Sequence, residues 1–198
     1  MSHYFDAQAN PTLEEPITLQ YAFRDRVFTL QSDRGIFSKN HVDSATDLLL
    51  RSVVVQAGMS VCDLGSGLGV MGLVLASFYQ VEVTCVDVNP KAVMLTQMNL
   101  DAHQIKGHVV LSDGLKNLAE KSFDLIVTNP PIRIGKVRLY ELFDEALDHL
   151  NPGGALVFVM HKKHGVASAI KHLTYKTDLS LLIKAKGFQV WSAKRIDT

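Results

Sequence analysis

Cysteine and tryptophan are scarce in this sequence, which has two cysteines and one tryptophan among 198 residues. Both cysteines, Cys62 and Cys85, lie within apolar runs. Two cysteines are too few for a disulfide framework, so we interpret them as core residues of a protein in a reducing compartment. No histidine stands at metal-ligand spacing from a cysteine, and we predict no metal site. The length predicts one domain that can bury a sizeable core.

Targeting and membrane signals are also missing from the sequence. Residues 1–4 lack the basic region and the apolar core of a secretory signal peptide. A charge-free run extends over residues 64–81, but three of its first six residues are glycine. This composition favours a loop and a buried helix over a membrane span. We therefore expect a cytoplasmic protein that does not contact a membrane.

The formal net charge is zero, but the two signs are unevenly distributed. Residues 1–132 contain 9 Lys and Arg against 14 Asp and Glu, whereas residues 133–198 contain 11 against 6. A neutral chain argues against binding to RNA phosphates, while a basic second part favours it. An ordinary solvated surface explains the same excess equally well.

A glycine-rich loop gives the first indication of a ligand site. Residues 61–69, V-C-D-L-G-S-G-L-G, form an apolar run followed by three alternating glycines. Glycine allows close approach of a ligand and positive φ angles, and a following helix adds free N–H donors. A nicotinamide dinucleotide loop has the spacing G-x-G-x-x-G, so an oxidoreductase is disfavoured. The ligand contacts predicted here are Asp63, Gly65, Ser66, Gly67 and Gly69.

Polar residues follow three further apolar runs of the sequence. Asp87, Asp113 and Asn129 each stand just after such a run. Because open α/β sheets bind ligands at the carboxyl ends of their strands, we expect these side chains to meet at one edge. The additional ligand contacts predicted at this edge are Asp87, Val88, Asp113, Gly114 and Asn129.

The segment T-N-P-P-I at residues 128–132 predicts a site for a planar NH2 group. The side-chain carbonyl of Asn129 and the backbone carbonyl of Pro130 are two hydrogen-bond acceptors, and the fixed φ angles of the prolines keep the loop stiff. Taken alone, this segment also describes an ordinary turn. The predicted catalytic residues are Asn129, Pro130, Pro131 and Ile132.

Together, the D-x-G-x-G-x-G and N-P-P-x motifs resemble the class I S-adenosylmethionine-dependent methyltransferases. More narrowly, residues 35–39 (G-I-F-S-K), 128–133 (T-N-P-P-I-R) and 162–165 (K-K-H-G) are similar to the small methyltransferase domain of RsmC-type ribosomal RNA guanine-N2 methyltransferases. The resemblance implies a Rossmann-like α/β fold. Its sheet is mostly parallel and seven-stranded, with a terminal antiparallel hairpin and helices on both faces. We expect an N-terminal hairpin extension in residues 1–40 and the methyltransferase domain in residues 41–198.

The resemblance also implies the cofactor and several residue roles. The cofactor is S-adenosylmethionine, which yields S-adenosylhomocysteine. Asp87 would hold its ribose hydroxyls, Asp113 its adenine amine, and the glycine loop its methionine end. On the substrate side we expect contacts with Phe37, Arg133, Lys162 and Lys163.

The implied partner is RNA, as ribosomal RNA or a ribosomal subunit. Full-length enzymes of this type pair the domain with a degenerate copy, and we expect self-association, another protein or this domain itself to engage RNA here. Many N-P-P-x enzymes carry Tyr or Phe where this sequence has Ile132, which stacks less specifically on a base.

Three functions stay open from the sequence. The first is methylation of an exocyclic amine in RNA, with guanine N2 in small-subunit (16S-type) ribosomal RNA preferred. The second is methylation of another planar NH2 group, such as a protein glutamine side chain or an adenine amine. The third is a non-catalytic binding module of the same fold. The motifs at Asp63, Asp87 and Asn129 argue against the third.

Overall fold

The computed structural model describes residues 11–34, 41–131 and 134–196 of the chain. Three of the predicted site residues, Phe37, Ile132 and Arg133, lie outside these ranges. The described residues form a two-stranded sheet and a seven-stranded sheet. No helix among them is both long and apolar enough to cross a membrane.

The two-stranded sheet is the N-terminal hairpin that the sequence predicts. Strand β1 (Pro16–Phe23) pairs antiparallel with β2 (Arg26–Asp33). Alternate residues of β1, Leu19, Tyr21 and Phe23, are buried in a core shared with the main domain. Because side chains alternate between the two faces of a strand, one face of the hairpin is buried against the core and the other is exposed to solvent. The predicted domain boundary at residue 40 falls in a range that is not described.

The larger sheet has the order β5-β4-β3-β6-β7-β9-β8. Strands β3 to β7 pair in parallel, and β9 lies antiparallel between β7 and β8. A mostly parallel sheet with a terminal antiparallel hairpin is confirmed. The strands are β3 (Ser60–Leu64), β4 (Glu82–Asp87), β5 (Gly107–Leu111), β6 (Phe123–Thr128), β7 (Leu150–His161), β8 (Thr177–Ala185) and β9 (Phe188–Arg195).

Helices cover both faces of this sheet. Because side chains of a strand alternate, Ile126 and Val127 of β6 are fully buried in two different cores. One core lies under the hairpin and the first three helices, and the other lies under the last two. The helices are α1 (Ser44–Ser52), α2 (Val70–Phe78), α3 (Pro90–Ala102), α4 (Lys136–Asp148) and α5 (Val166–Leu173).

Two expected element boundaries differ from the structure. The apolar pattern predicts a helix over residues 139–150, but α4 begins three residues earlier, at Lys136, with both Lys136 and Val137 exposed. The N-P-G-G segment at residues 151–154 predicts a turn on its composition, but it belongs to β7. The pairing of β6 with β7 shifts register there, and a Cβ on Gly154 would lie 2.9 Å from the backbone oxygen of Phe123. A glycine-containing irregularity thus continues the strand where the sequence suggests a break.

Candidate active site

Two cavities open at the carboxyl edge of the parallel strands and meet at Asn129. The first, of about 380 Å³, lies over the ends of β3, β4 and β5 and is called the strand-end cavity. The second, of about 340 Å³, lies between the residues after β6, helix α4 and the end of β7 and is called the helix-side cavity. Asn129, Pro131 and Ile134 line both.

Most of the residues predicted to bind the cofactor line the strand-end cavity. These are Gly65, Gly67, Asp87, Val88, Asp113, Gly114 and Asn129. Asp63, Ser66 and Gly69 do not line it. Asp63 belongs to β3, and Ser66 and Gly69 are loop residues that do not border the cavity. Ser66 is buried with its hydroxyl 3.2 Å from the hydroxyl of Thr96.

The alternating glycines have distinct structural reasons. Gly65, Gly67 and Gly69 have φ angles of +75°, +57° and +75°, which side chains strongly disfavour. A Cβ on Gly65 would meet no atom within 4 Å, so this position borders open space. A Cβ on Gly69, directly before α2, would lie 2.7 Å from the Cγ2 atom of Thr96. Gly65 therefore keeps the cavity open, and Gly69 allows close packing against α3.

Two buried residues of α3 hold the glycine loop, and the sequence reasoning missed both. The hydroxyl of Thr96 donates to the carbonyl of Gly67 at 3.1 Å. The amide of Asn99 donates to the carbonyls of Leu68 at 2.9 Å and Gln31 at 3.0 Å. Polar residues three positions apart on a helix share one face, which is the signal that could have identified them.

Asp87 organises the loop while remaining able to accept further hydrogen bonds. Its two carboxylate oxygens accept from the backbone N–H groups of Gly67 and Asn89, each at 2.9 Å. An ionised carboxylate has about four lone-pair sites, so acceptor capacity remains on both oxygens. The neighbouring side chain of Val88 is 56% exposed and borders the same cavity.

Asp113 is paired with cations that the sequence motif did not reveal. Its carboxylate accepts from the ammonium of Lys116 and, at 2.6 Å, from the guanidinium of Arg138. The hydrogen bond from Lys116 is the main cause that holds the pKa of Asp113 below its usual range; burial opposes it, and Arg138 adds to the lowering. Arg138 also donates to Glu145 at 2.8 Å and lines the strand-end cavity. Asp113 is therefore ionised, and an added donor would share it with these partners.

Asp63 is fully buried and does not line the strand-end cavity, although Leu64 and Gly65, which follow it in the chain, do. One carboxylate oxygen accepts from the backbone N–H of Gly72 in α2 at 2.9 Å. The other has no hydrogen-bond partner among the described residues. Burial raises the pKa of Asp63 to about 7, the bond from Gly72 opposes this shift, and Asp87 adds to it.

The side-chain amide of Asn129 is held from the start of α1. Its Nδ2 donates to a carboxylate oxygen of Asp43 at 3.2 Å and to the hydroxyl of Thr46 at 3.1 Å. With both amide hydrogens engaged, the carbonyl oxygen of Asn129 is the part of the side chain that is left to accept. Pro130 lines the helix-side cavity and Pro131 lines both cavities.

The helix-side cavity combines apolar walls with a basic rim. Leu139, Tyr140, Met160 and Phe188 provide apolar and aromatic surface, none of which the sequence reasoning identified. The rim carries Asp43, Lys136, His161, Lys163 and His164.

The two lysines predicted to bind substrate are placed differently. Lys163 lines the helix-side cavity, but Lys162 does not.

His161 packs against two other rings at the same cavity. Its ring lies 4.9 Å from that of His164 and 5.0 Å edge-on from that of Phe188. Burial first, and then the charges of His164, Lys163 and Lys162, lower the pKa of His161. Its neutral form, which has one ring N–H donor and one acceptor, is therefore favoured.

A family model for the methyltransferase small domain matches residues 27–192. The chain belongs to this family. The uncharacterised protein YbxB of Bacillus subtilis is 34% identical over 203 aligned residues, which cover 99% of this chain and 100% of that protein. The ribosomal RNA small subunit methyltransferase C of Pasteurella multocida is 40% identical over 139 residues, covering 68% of this chain and 41% of the enzyme.

A solved structure, the T. thermophilus 16S rRNA N2 G1207 methyltransferase (RsmC) in complex with AdoMet and guanosine, has a similar fold. The TM-score is 0.80 at 27% sequence identity, covering 94% of this chain and 52% of that chain. The chain thus spans about half the length of its named methyltransferase relatives or less. The predicted family and fold class are confirmed, and S-adenosylmethionine is the cofactor of this family of methyltransferases.

The chemistry of the strand-end cavity fits that cofactor. Gly65 leaves open space at the backbone, Asp87 retains acceptor capacity for a ribose diol, and Val88 offers an apolar surface to a planar ring. The acidic side chains suit a ligand that carries positive charge. The cavity and the family membership therefore agree on the kind of ligand.

Proposed function

We propose that this protein transfers a methyl group from S-adenosylmethionine to an exocyclic amine of a base in RNA, with guanine N2 in small-subunit ribosomal RNA as the preferred target. One observation carries the proposal. Asn129 lies where the strand-end and helix-side cavities meet, and its amide hydrogens are held by Asp43 and Thr46. Its carbonyl oxygen is thereby available between a donor on one side and a substrate on the other.

The strand-end cavity would hold the cofactor, whose sulfonium supplies the methyl group as an electrophile when bound. Asp87 would accept from the ribose hydroxyls, and the glycine loop would border the methionine end. Asp113 would accept from the adenine amine while it remains bonded to Arg138 and Lys116. Asp63, Ser66 and Gly69 would help to fix the shape of the loop without bordering the cavity.

Asn129 and Pro130 would recognise and activate the NH2 group of the substrate. An aromatic amine is a poor nucleophile because its lone pair is delocalised into the ring. If the side-chain carbonyl of Asn129 and the backbone carbonyl of Pro130 each accept one hydrogen, the nitrogen can become pyramidal and direct its lone pair at the methyl carbon. The same two dipoles stabilise the positive charge that develops on the nitrogen. The residues thus contribute positioning and electrostatic stabilisation.

The helix-side cavity supports a nucleic-acid substrate. Its aromatic and apolar residues suit the face of a base, and Lys136 and Lys163 at its rim suit phosphate groups. The named relatives are ribosomal RNA methyltransferases, and the solved relative is in complex with guanosine. Phe37 and Arg133 remain predicted substrate contacts, and Ile132 remains a predicted catalytic residue. Lys162 is a predicted substrate contact that lies outside this cavity.

The test is transfer of labelled methyl groups from S-adenosylmethionine to defined acceptors. Purified protein is incubated with small ribosomal subunits, with naked small-subunit RNA and with total cellular protein, all from cells that lack this gene. RNA is then digested to nucleosides and separated by chromatography. We expect label in N2-methylguanosine. Label in N6-methyladenosine or in protein would contradict the guanine assignment, and no label in any acceptor would favour a binding module.

The variant Asn129→Ala tests the role of the amide. We expect kcat to fall by about 10²- to 10³-fold, the loss typical when one preorganised polar group at a reacting centre is removed. The matched control is Asn117→Ala, because Asn117 is exposed and lines neither cavity. A variant rate within a few-fold of the wild-type rate would rule out this mechanism.

A further inference from the structure

Asp43 connects the start of α1 with the catalytic loop and with the helix-side cavity. One of its carboxylate oxygens accepts from the backbone N–H of Ala45 at 3.0 Å and so caps the helix. The other accepts from the amide of Asn129 at 3.2 Å. Asp43 also lines the helix-side cavity, on the same side of Asn129 as Pro130. A charged acceptor therefore lies next to the group that would bind the substrate amine.

The acceptor capacity of this carboxylate is not exhausted by these two bonds. An ionised carboxylate has about four lone-pair sites, and the two bonds use one on each oxygen. A substrate donor that enters the helix-side cavity beside the NH2 group could therefore reach a free lone pair of Asp43. A substrate acceptor at the same place would face a carboxylate of like polarity, which costs free energy in a partly buried site.

The bases differ at the ring atom next to their exocyclic amine. In guanine the amine at C2 is adjacent to the ring N1–H, which is a donor. In adenine and cytosine the ring nitrogen next to the amine is unprotonated and is an acceptor. A carboxylate beside the amine-binding carbonyls thus distinguishes guanine from the other two bases by the sign of one hydrogen bond.

We propose that Asp43 is the specificity-determining residue for guanine, because its carboxylate accepts the ring N1–H while Asn129 and Pro130 accept the adjacent NH2 group. The inference rests on the proposed function, since it names how the same site selects its base. Asp43 also has a positioning role. By accepting from the amide of Asn129 it keeps the carbonyl of that residue directed at the substrate amine.

The test compares two nucleosides that share the amine at C2 and differ at N1 and at C6, so the Asp43→Asn variant is what assigns any preference to Asp43. Guanosine and 2,6-diaminopurine riboside both carry an amine at C2, but only guanosine has the N1–H. Their affinities for the 198-residue protein saturated with S-adenosylhomocysteine are measured by NMR titration. We expect wild-type protein to bind guanosine about tenfold or more tightly than the analogue, the discrimination typical of one matched polar contact to a base edge.

The variant Asp43→Asn reverses the polarity at one oxygen and keeps the helix cap. Its remaining oxygen can still accept from Ala45, while its new NH2 group faces the amine side of Asn129. We expect the preference for guanosine to disappear or reverse. We also expect the fold-decrease in kcat for methyl transfer to RNA to be larger than the fold-decrease in affinity for S-adenosylhomocysteine. The matched control is Asp47→Asn in the same helix, whose carboxylate bonds Tyr21 and Arg51 and lines neither cavity.

The wild-type measurement alone can overturn the inference, so it does not depend on the folding of the variant. Equal affinity for the two nucleosides, or no binding of either up to its solubility limit, would contradict it. If Asp43 had only a structural role, the variant would bind both nucleosides less tightly by the same factor. That result would also contradict the inference. If RNA is methylated at guanine N2 but the variant keeps its preference, the inference fails while the proposed function stands. If the nucleoside preference holds but no RNA is methylated, the proposed function fails separately.

Discussion

The two cavities that meet at Asn129 are assembled in different ways. Most residues that line the strand-end cavity lie at or just after the ends of consecutive parallel strands, such as Gly65 and Asp87, and Arg138 of α4 completes the wall. The helix-side cavity combines Asp43 before α1, Tyr140 of α4 and Phe188 of β9, which come together only in the folded chain. The cofactor side is thus encoded by local motifs, whereas the substrate side depends on the packing of distant elements.

The cavities also differ in their electrostatics. Asp87 and Asp113 provide carboxylates to the strand-end cavity, where Arg138 is the cation on the wall. The helix-side cavity has lysines and histidines at its rim beside aromatic residues. Lys136 and Lys163 would therefore favour an anionic substrate on the helix side of Asn129. In the strand-end cavity, Asp113 is already paired with Lys116 and Arg138, which leaves Asp87 as the carboxylate without a cationic partner among the described residues.

The largest effect is expected on the pH dependence of the free energy of unfolding, and it comes from Asp63, which is buried next to the strand-end cavity. Because burial raises its pKa to about 7, the folded state holds a proton that the unfolded state releases above the ordinary carboxyl pKa. The resulting stability is present at low pH and is lost as the pH rises to about 7. Relative to Asp63→Asn, which does not titrate, the wild-type free energy of unfolding should fall by at most about 4 kcal/mol between pH 4 and pH 8.

Urea unfolding of both proteins without cofactor measures this difference across the pH range. The comparison between the two pH profiles removes the constant cost of replacing a carboxyl by an amide. Parallel profiles would show that Asp63 titrates in the folded state as it does in the unfolded state. The strand-end cavity would then lack the buried protonated carboxyl next to its loop.

The next largest effect is expected from Asp87→Ala. The substitution removes the acceptor for the N–H groups of Gly67 and Asn89 as well as the proposed acceptor for ribose hydroxyls. Since a hydrogen bond to a charged group contributes about 1.5–3 kcal/mol, the affinity for S-adenosylhomocysteine should fall about 100-fold. Isothermal titration calorimetry measures this loss.

Asp101→Ala is the matched control, because Asp101 is exposed on α3 and lines neither cavity. Guanosine affinity should change little in Asp87→Ala, since that residue does not border the helix-side cavity. An equal loss of both ligands would mean that the two cavities are not independent.

The same contrast explains what the sequence could predict. Parallel strands bring their carboxyl ends to one edge, so Asp87, Asp113 and Asn129 could be expected to converge. The partners of these residues could not be identified, because they come from elements far away in the chain. Arg138, which pairs with Asp113, is 25 residues distant, and Asp43, which holds Asn129, is 86 residues distant.

Phe188→Leu tests the substrate side at its aromatic wall. Stacking of a base on an aromatic side chain contributes about 1–3 kcal/mol, so guanosine affinity should fall about tenfold while S-adenosylhomocysteine affinity stays unchanged. The control is Tyr175→Leu, which replaces an aromatic residue that is 84% exposed and lies outside both cavities. An unchanged guanosine affinity in Phe188→Leu would place the base elsewhere in the cavity.

The smallest effect is expected from two adjacent lysines that the sequence treats as equivalent. Lys163 lines the helix-side cavity and Lys162 does not. If Lys163 contacts one phosphate, Lys163→Ala should weaken RNA binding a few-fold and reduce the slope of log affinity against log salt by about 1. Lys162→Ala should leave that slope closer to the wild-type value, as measured by filter binding between about 50 and 200 mM salt, a range over which the Debye length falls about twofold. Equal slopes for the two variants would mean that RNA follows the basic segment as a whole, and that the helix-side cavity does not determine which lysine meets the phosphate.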